Sequence, residues 1–127
     1  MKIQYHNRHQ LPPSKAGNAT YVSFDELLST SVVINLNLAL THSTHHVISA
    51  TQFEKMKDGV VIFNTARGAL IDEKAFVKAL EVGKVYSVRL DMFETELDVN
   101  PEPLRNDKVV LLPHIGAATV EAMTSPF

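Results

Sequence analysis

Strand-like and helix-like patterns alternate along almost the whole chain, and this order predicts an α/β fold with a parallel sheet and crossover helices. The clearest strand is Val60–Phe63, an apolar run that leads directly into polar residues and glycine. Val32–Leu40 is apolar on both faces apart from Asn35 and Asn37, as expected for a strand that helices cover on both sides. N-capping residues precede amphipathic segments between the apolar runs, so we expect helices there.

The remaining strands follow from short runs of β-branched and aromatic residues. We expect a strand at Lys2–Tyr5, followed by a loop at Leu11–Ser14, because the prolines there fit neither mid-strand nor mid-helix. Two further strands are expected at Val85–Phe93 and Val109–Leu112, with an acidic, proline-bearing stretch between them. No repeat or linker divides the chain, so we expect a single unit.

Capping residues predict three helices. Ser23 and Ser49 each stand three residues before an acid or amide side chain, which is the spacing of a capping box. The helices that they begin are expected to end near residues 28 and 57. Asp72 can cap a third helix, and Gly83 is placed to end that helix in a left-handed turn.

Composition and charge exclude several classes of function. The 127 residues are 45% apolar, enough for one core, and carry a net charge of −2, without the basic field that draws proteins to nucleic acid or anionic membranes. There is no cysteine, which excludes thiolate metal sites and suits a reducing compartment. No apolar run approaches the ~20 residues that span a bilayer, and the amino-terminal stretch has no signal core. We therefore expect a cytoplasmic protein without nucleic-acid or membrane partners.

Polar residues cluster where three predicted strands end. Arg67 follows one strand, Asp91 and Glu96 lie at the end of a second, and His114 follows a third. Ligands of open parallel sheets bind at the carboxyl ends of the strands. An arginine, carboxylates and a histidine there could bind a carboxylate substrate and move a proton. The alternative for each of these residues taken alone is a solvated surface charge.

Three ordered motifs carry a resemblance to a known family. They are KDGVVIFNTARGA at Lys57–Ala69, LDMFETE at Leu90–Glu96 and LPHIG at Leu112–Gly116. Together they resemble the signatures of the D-isomer-specific 2-hydroxyacid dehydrogenases, over essentially the whole chain. Tyr5–Arg8 and Lys55–Gly68 are most similar to fungal glyoxylate and hydroxypyruvate reductases. The resemblance implies a Rossmann-like, doubly wound parallel sheet and an NAD(P)H-dependent oxidoreductase of 2-oxo or 2-hydroxy acids.

The resemblance also implies roles for matching residues. Arg67 matches the arginine that grips the substrate carboxylate. His114 matches the proton donor to the ketone, and Glu96 matches the acid that pairs with that histidine. Asp91 matches the residue that binds the nicotinamide end of the cofactor. The implied cofactor-binding residues are Asn7, Arg8, Thr65, Ala66, Arg67, Asp91, His114, Ile115 and Gly116.

The cofactor preference depends on Asn7 and Arg8. They stand where domains that prefer NAD place an acid on the ribose hydroxyl. An arginine there can accept a 2′-phosphate, so the sequence favours NADP(H), with NAD(H) as the alternative. Arg8 could also be a solvated loop charge.

The chain departs from the family pattern mainly by an absence. No turn of the form GxGxxG occurs in it, so we expect a partial sheet without the family's first strand and pyrophosphate cradle. In the family's sheet order, that strand lies between Lys2–Tyr5 and Val32–Leu40, and its absence would expose two edges and leave the chain marginally stable. We therefore expect residues 1–127 to be the carboxyl-terminal part of the NAD(P)-binding domain, without the substrate lobe.

A second departure from the family pattern is Arg89, which replaces a small residue inside the sheet, where burial of an unpaired guanidinium would be costly.

Three hypotheses of function stay open. The first is a reductase of glyoxylate, hydroxypyruvate or a related 2-oxo acid, expected to be inactive as this isolated chain because water must be excluded from the site. The second is a non-catalytic remnant, or pseudoenzyme, that at most binds nucleotide weakly or binds a partner chain. In the third, a complementing chain restores the sheet. Relatives usually pair through the cofactor domain, so a homodimer is a further expectation.

The histidines suggest a metal site that the sequence does not favour. His42, His45 and His46 have spacings that can share one helical face. No acidic or thiol ligand accompanies them and zinc needs a fourth donor, so no metal is expected. His6 and His9 are expected to be solvated loop residues.

Overall fold

The computed structural model describes residues 1–90 and 107–111, in which strands and helices alternate along the chain. The strands are β1 (Gln4–Tyr5), β2 (Thr20–Tyr21), β3 (Val33–Leu36), β4 (Val60–Asn64), β5 (Val85–Leu90) and β6 (Val109–Leu111). The helices are α1 (Pro13–Ala16), α2 (Phe24–Thr30), α3 (Ala50–Lys55) and α4 (Glu73–Glu81), and a 3₁₀ turn at Gly68–Leu70 follows β4. The predicted α/β class is confirmed.

All strand pairs are parallel, and they form two separate sheets. One contains β1 and β2, and the other has the order β3-β4-β5-β6. Within the described residues no strand joins β1 to β3. The family resemblance predicted a missing strand at this position. Each of these two strands therefore has an edge whose backbone groups pair with no other described strand.

The helices begin where the capping residues predicted. The Ser23 hydroxyl accepts a hydrogen bond from the Glu26 N–H at 3.1 Å. The backbone N–H and the hydroxyl of Ser49 both donate to Oε1 of Gln52, at 3.0 and 2.6 Å. These contacts satisfy polar groups that the first turn of a helix leaves unpaired.

Helix α4 also has the predicted beginning and end. Oδ1 of Asp72 accepts from the backbone N–H groups of Lys74 and Ala75, at 3.0 and 3.3 Å. Gly83 follows the helix with φ of 76°, a conformation that an L side chain rarely adopts. Gly59, which lies between α3 and β4, has φ of 77°.

The core lies on one face of the four-stranded sheet. Ile34, Ile62 and Val88 are buried at register positions opposite one another on β3, β4 and β5. They pack with Leu28 of α2 and Phe76 of α4 in one apolar cluster, which Phe53 of α3 also joins. Helices α2, α3 and α4 therefore cover the same face of the sheet.

The prediction that β3 is covered on both sides is wrong for the described residues. Ile34 and Leu36 are buried, whereas Val33 is 52% exposed and Asn35 is exposed. The strand also spans only Val33–Leu36 of the predicted range. Side chains alternate between the faces of a strand, and the described helices that join the core pack on one face only.

The amino-terminal region contains two elements that sequence patterns missed. Pro13 was expected in a loop, but it starts α1, because the first helical turn leaves its N–H groups unpaired and a proline costs nothing there. Strand β2 is only two residues long, too short to give a periodic pattern.

Arg89 was expected to lie buried inside the sheet, and this is also wrong. Its side chain is exposed, and its guanidinium carbon lies 5.9 Å from the centre of the Phe63 ring on the neighbouring strand. Both residues lie on the face opposite to the core, so the charge is not buried.

None of the helices in residues 1–90 and 107–111 has the length and apolarity that a bilayer crossing requires.

Candidate functional site

The first group of candidate residues lies at the carboxyl end of β4. This strand is flanked by β3 and β5 and ends at Asn64. Thr65, Ala66 and Arg67 follow as a loop, and the buried Gly68 begins the 3₁₀ turn. Thr65 and Arg67 are exposed, so the loop presents both side chains at the edge of the sheet where parallel folds bind ligands.

Asn64 holds this loop by its side chain. Its Nδ2 donates to the Arg67 carbonyl at 2.8 Å, and its Oδ1 accepts from the Ala66 N–H at 3.2 Å. The Arg67 carbonyl also accepts from the Leu70 N–H at 3.2 Å. Asn64 was not among the predicted site residues. The available signal was a carboxamide at the end of the most apolar strand, where a buried polar group needs partners.

The Arg67 side chain is exposed and folds over its own loop. Its Nη1 donates to the Ala66 carbonyl at 2.9 Å, which uses one of the five N–H donors of a guanidinium. The planar arrangement of the other donors fits a carboxylate in a bidentate pair. The position and exposure of Arg67 are thus compatible with the role implied by the resemblance.

Backbone hydrogen bonds between residues 46–48 and 69–72 hold the far end of the loop. The His46 and Ile48 N–H groups donate to the carbonyls of Ala69 and Leu70, at 2.8 and 3.0 Å. The Asp72 N–H in turn donates to the Ile48 carbonyl at 2.9 Å. Arg67 is therefore placed between two anchored points, Asn64 on one side and Ala69–Asp72 on the other.

The second group of candidate residues follows β1, in the other sheet. Asn7 and Arg8 are both exposed, and Oδ1 of Asn7 accepts from the Arg8 N–H at 2.9 Å. The Tyr21 hydroxyl, on β2, donates to the Asn7 carbonyl at 3.2 Å. Tyr21 was not predicted as a site residue, because the two-residue strand that carries it gives no sequence pattern.

Aromatic side chains support the base of this second loop. The Tyr5 hydroxyl accepts from the Leu11 N–H at 3.1 Å, and the Tyr5 and Tyr21 rings meet edge to face at 5.4 Å. The Nδ1–H of His6 donates to the Val22 carbonyl at 2.9 Å, and its ring stacks on Tyr21 at 5.8 Å. His6 is an exposed loop residue, as expected, and these contacts give it a supporting role in addition.

The structure thus brings Thr65, Ala66 and Arg67 together in one loop and places Asn7 and Arg8 in another. The remaining predicted site residues lie outside the described residues: Asp91, Glu96, His114, Ile115 and Gly116. Their roles stay predictions.

The histidines of the loop before α3 do not form a described metal centre. The His45 and His46 rings stack at 3.9 Å. In the part of the chain that the structure describes, no group of three or more His, Cys, Asp or Glu residues could hold a metal ion.

Comparison with known proteins identifies the family. A model of the NAD-binding domain of D-isomer-specific 2-hydroxyacid dehydrogenases matches residues 1–116. The 4-methyl-2-oxopentanoate reductase A of Aspergillus oryzae is 62% identical over 121 residues, which are 95% of this chain and 37% of that protein. Glyoxylate reductase 1 of Saccharomyces cerevisiae is 51% identical over 117 residues, 92% of this chain and 33% of that protein.

The fold agrees with a solved structure. The crystal structure of a glyoxylate reductase from Paecilomyes thermophila matches with a TM-score of 0.92 and 61% identity, over 96% of this chain and 37% of that one. The chain therefore spans about a third of the length of these relatives. Since the family model and these relatives each match more than nine-tenths of it, the chain belongs to the D-isomer-specific 2-hydroxyacid dehydrogenases and corresponds to part of their NAD-binding domain.

Proposed function

We propose that this chain is the carboxyl-terminal part of the cofactor domain of an NAD(P)H-dependent reductase of glyoxylate, hydroxypyruvate or a related 2-oxo acid. The observation that carries the proposal is the exposed Arg67 at the carboxyl end of β4, on a loop anchored at both ends. An anchored guanidinium can hold a carboxylate in one orientation, which is what a reductase of 2-oxo acids requires.

The chemistry divides among three residues of the chain. Arg67 binds the substrate carboxylate and orients the neighbouring carbonyl. His114 gives its proton to the carbonyl oxygen, and Glu96 orients that histidine. The chemistry that a nicotinamide cofactor would supply, when bound, is the hydride for reduction of the 2-oxo group to a 2-hydroxy group.

The described residues fit a dinucleotide cofactor at two positions. The loop after β4 presents Thr65 and Arg67, and the loop after β1 presents Asn7 and Arg8, all four exposed. We infer a preference for NADP(H), since Arg8 can pair with a 2′-phosphate and no acid stands at this point to bind a free ribose hydroxyl. Tyr21 supports this loop through the Asn7 carbonyl.

The group that the proposed substrates have in common is the 2-oxo carboxylate. The relatives named above are reductases of glyoxylate and of 4-methyl-2-oxopentanoate, which differ in size but share a 2-oxo carboxylate. We therefore propose the shared group as the element recognised, with Arg67 as its partner.

We expect the 127-residue chain alone to show no turnover. Its described sheets are separate, and both β1 and β3 have an edge without a described partner strand. Hydride transfer also requires a site from which water is excluded. The split sheet favours a second candidate function, in which the chain binds nucleotide weakly or pairs with a complementing chain without catalysis of its own.

The test is NADPH oxidation by the protein purified from its native source, with glyoxylate, hydroxypyruvate and 4-methyl-2-oxopentanoate as substrates. Its intact mass is measured in the same sample. Turnover that falls about a thousandfold in Arg67→Ala, and is unchanged in the exposed control Lys78→Ala, supports the reductase. A mass of 14.1 kDa without turnover favours the non-catalytic function, and a larger mass without turnover on any of the three acids contradicts the reductase.

A further inference from the structure

Among the described residues, Asn64 is the one polar residue whose side chain is buried, and it is completely shielded from solvent. It lies in register with Leu36 on one side and Leu90 on the other, at the end of the inner face of β4. A buried carboxamide without partners would destabilise the fold, so its hydrogen bonds are an essential part of this strand end.

The two partners of Asn64 both belong to the loop that carries Arg67. One end of the carboxamide accepts from the Ala66 N–H, and the other donates to the Arg67 carbonyl. Because the carboxamide is planar and its surroundings are packed, these two bonds fix the Thr65–Ala66 and Arg67–Gly68 peptide groups, which lie on either side of the peptide that joins Ala66 to Arg67. The Leu70 N–H adds a third bond, also to the Arg67 carbonyl.

We propose that Asn64 is a positioning residue that sets the direction in which the Arg67 guanidinium leaves the sheet. This inference rests on the proposed function, since it assigns Asn64 a role through the carboxylate that Arg67 binds. The Arg67 side chain itself is exposed, and its described contact is to its own loop at Ala66. Its direction therefore depends on the loop backbone, and a small rotation there moves the distant guanidinium out of bidentate geometry.

The donor and acceptor pattern explains why an amide suits this position. An aspartate would keep the acceptor for Ala66 but would place a second acceptor against the Arg67 carbonyl, in a buried position. A leucine of similar size would keep the packing but lose both bonds. Asn64→Asp and Asn64→Leu thus separate the loss of one bond from the loss of two.

The experiment uses NMR of the full 127-residue chain titrated with glyoxylate. Hydrogen exchange is measured at the Asn64 carboxamide and the Ala66 amide, and glyoxylate binding is followed at Nε–H of Arg67. In the unmodified chain, we expect slow exchange at both amide positions. In Asn64→Leu, we expect exchange at Ala66 to be about tenfold faster and glyoxylate to bind about tenfold more weakly, while Ile62 and Val88 stay protected.

The matched control is Asn35→Leu, which removes an exposed carboxamide from the neighbouring strand on the opposite face. It should change neither exchange at Ala66 nor glyoxylate binding. Asn64→Asp should show intermediate exchange at Ala66, because it keeps that acceptor. If Asn64→Leu does not fold, fast exchange of the Asn64 carboxamide in the unmodified chain overturns the inference, and slow exchange supports it.

The two claims fail in different ways. If glyoxylate shifts Arg67 equally in the unmodified chain and in Asn64→Leu, the positioning role is wrong and the proposed function stands. If glyoxylate produces no response at Arg67 while exchange at Ala66 still depends on Asn64, the substrate role of Arg67 is wrong and the anchoring of its loop stands.

Discussion

The guanidinium carbon of Arg89 lies 5.9 Å from the centre of the Phe63 ring, across β5 and β4. Both side chains project from the sheet face opposite to helices α2, α3 and α4. The cation is thereby accommodated without a buried, unpaired charge, because its remaining surface is exposed. The same face carries the exposed Val33.

This contact predicts a small effect on stability. Arg89→Ala should lower the free energy of unfolding by about 1 kcal/mol or less, which is the range of an exposed cation–π pair. A double-mutant cycle with Phe63→Leu, measured by urea unfolding, should give a coupling of the same size. A loss of several kcal/mol in Arg89→Ala would instead indicate the buried environment expected from the sequence.

The one-sided core predicts a chain close to its stability limit. Phe76 of α4 is buried in the cluster that joins the helices to the sheet, so Phe76→Ala should cost about 3–5 kcal/mol. If the total stability is about 5 kcal/mol, the variant should retain no more than about 2 kcal/mol, and its urea midpoint, followed by circular dichroism, should fall to less than half that of the unmodified chain.

Val82→Ala is the control for this prediction. Val82 follows the same helix and is 79% exposed, so its truncation should change the free energy of unfolding by no more than about 0.5 kcal/mol. Equal urea midpoints for Phe76→Ala and the unmodified chain would contradict the described core.

The N-cap of α4 gives a third prediction. Asp72→Ala removes the acceptor for the Lys74 and Ala75 N–H groups, and we expect a loss of about 0.5–2 kcal/mol in the free energy of unfolding. Asp72→Asn keeps an oxygen in the same place and should lose only a few tenths of a kcal/mol. If both variants lose the same amount in urea unfolding, the stabilisation comes from the charge and not from the cap.

The Arg8 loop gives a prediction on cofactor choice. Arg8→Ala should weaken NADPH binding about tenfold or more and leave NADH binding unchanged, because only NADPH carries a 2′-phosphate for the guanidinium. Binding is measured by nicotinamide fluorescence during titration of each cofactor. Lys15→Ala removes an exposed cation from the nearby α1 and serves as the control. An equal loss for both cofactors in Arg8→Ala would contradict the proposed contact.

The sequence by itself determined where several helices and one strand begin or end, because these positions depend on residues close by in the chain. Ser23, Ser49 and Asp72 begin helices as predicted, and Gly83 ends one, because caps and left-handed turns act within a few residues. The apolar run at Val60 and the polar residues after it likewise located β4 and the Arg67 loop. The two motifs around Asp91 and His114 contributed to the family resemblance, although those residues lie outside the described ranges.

Only the tertiary structure decided which side chains face a partner. The apolar run at Val33 looks the same whether helices cover one face of it or two, and the structure covers one. Arg89 is tolerated because Phe63 lies beside it on a strand that is distant in the sequence. The Asn64 carboxamide bonds to Ala66 and Arg67, which are only two and three residues away, but its burial depends on the neighbouring strands β3 and β5. Sequence patterns extend over a few residues, whereas burial depends on contacts among distant segments, and this is why the family could be identified from the sequence but the support of its arginine could not.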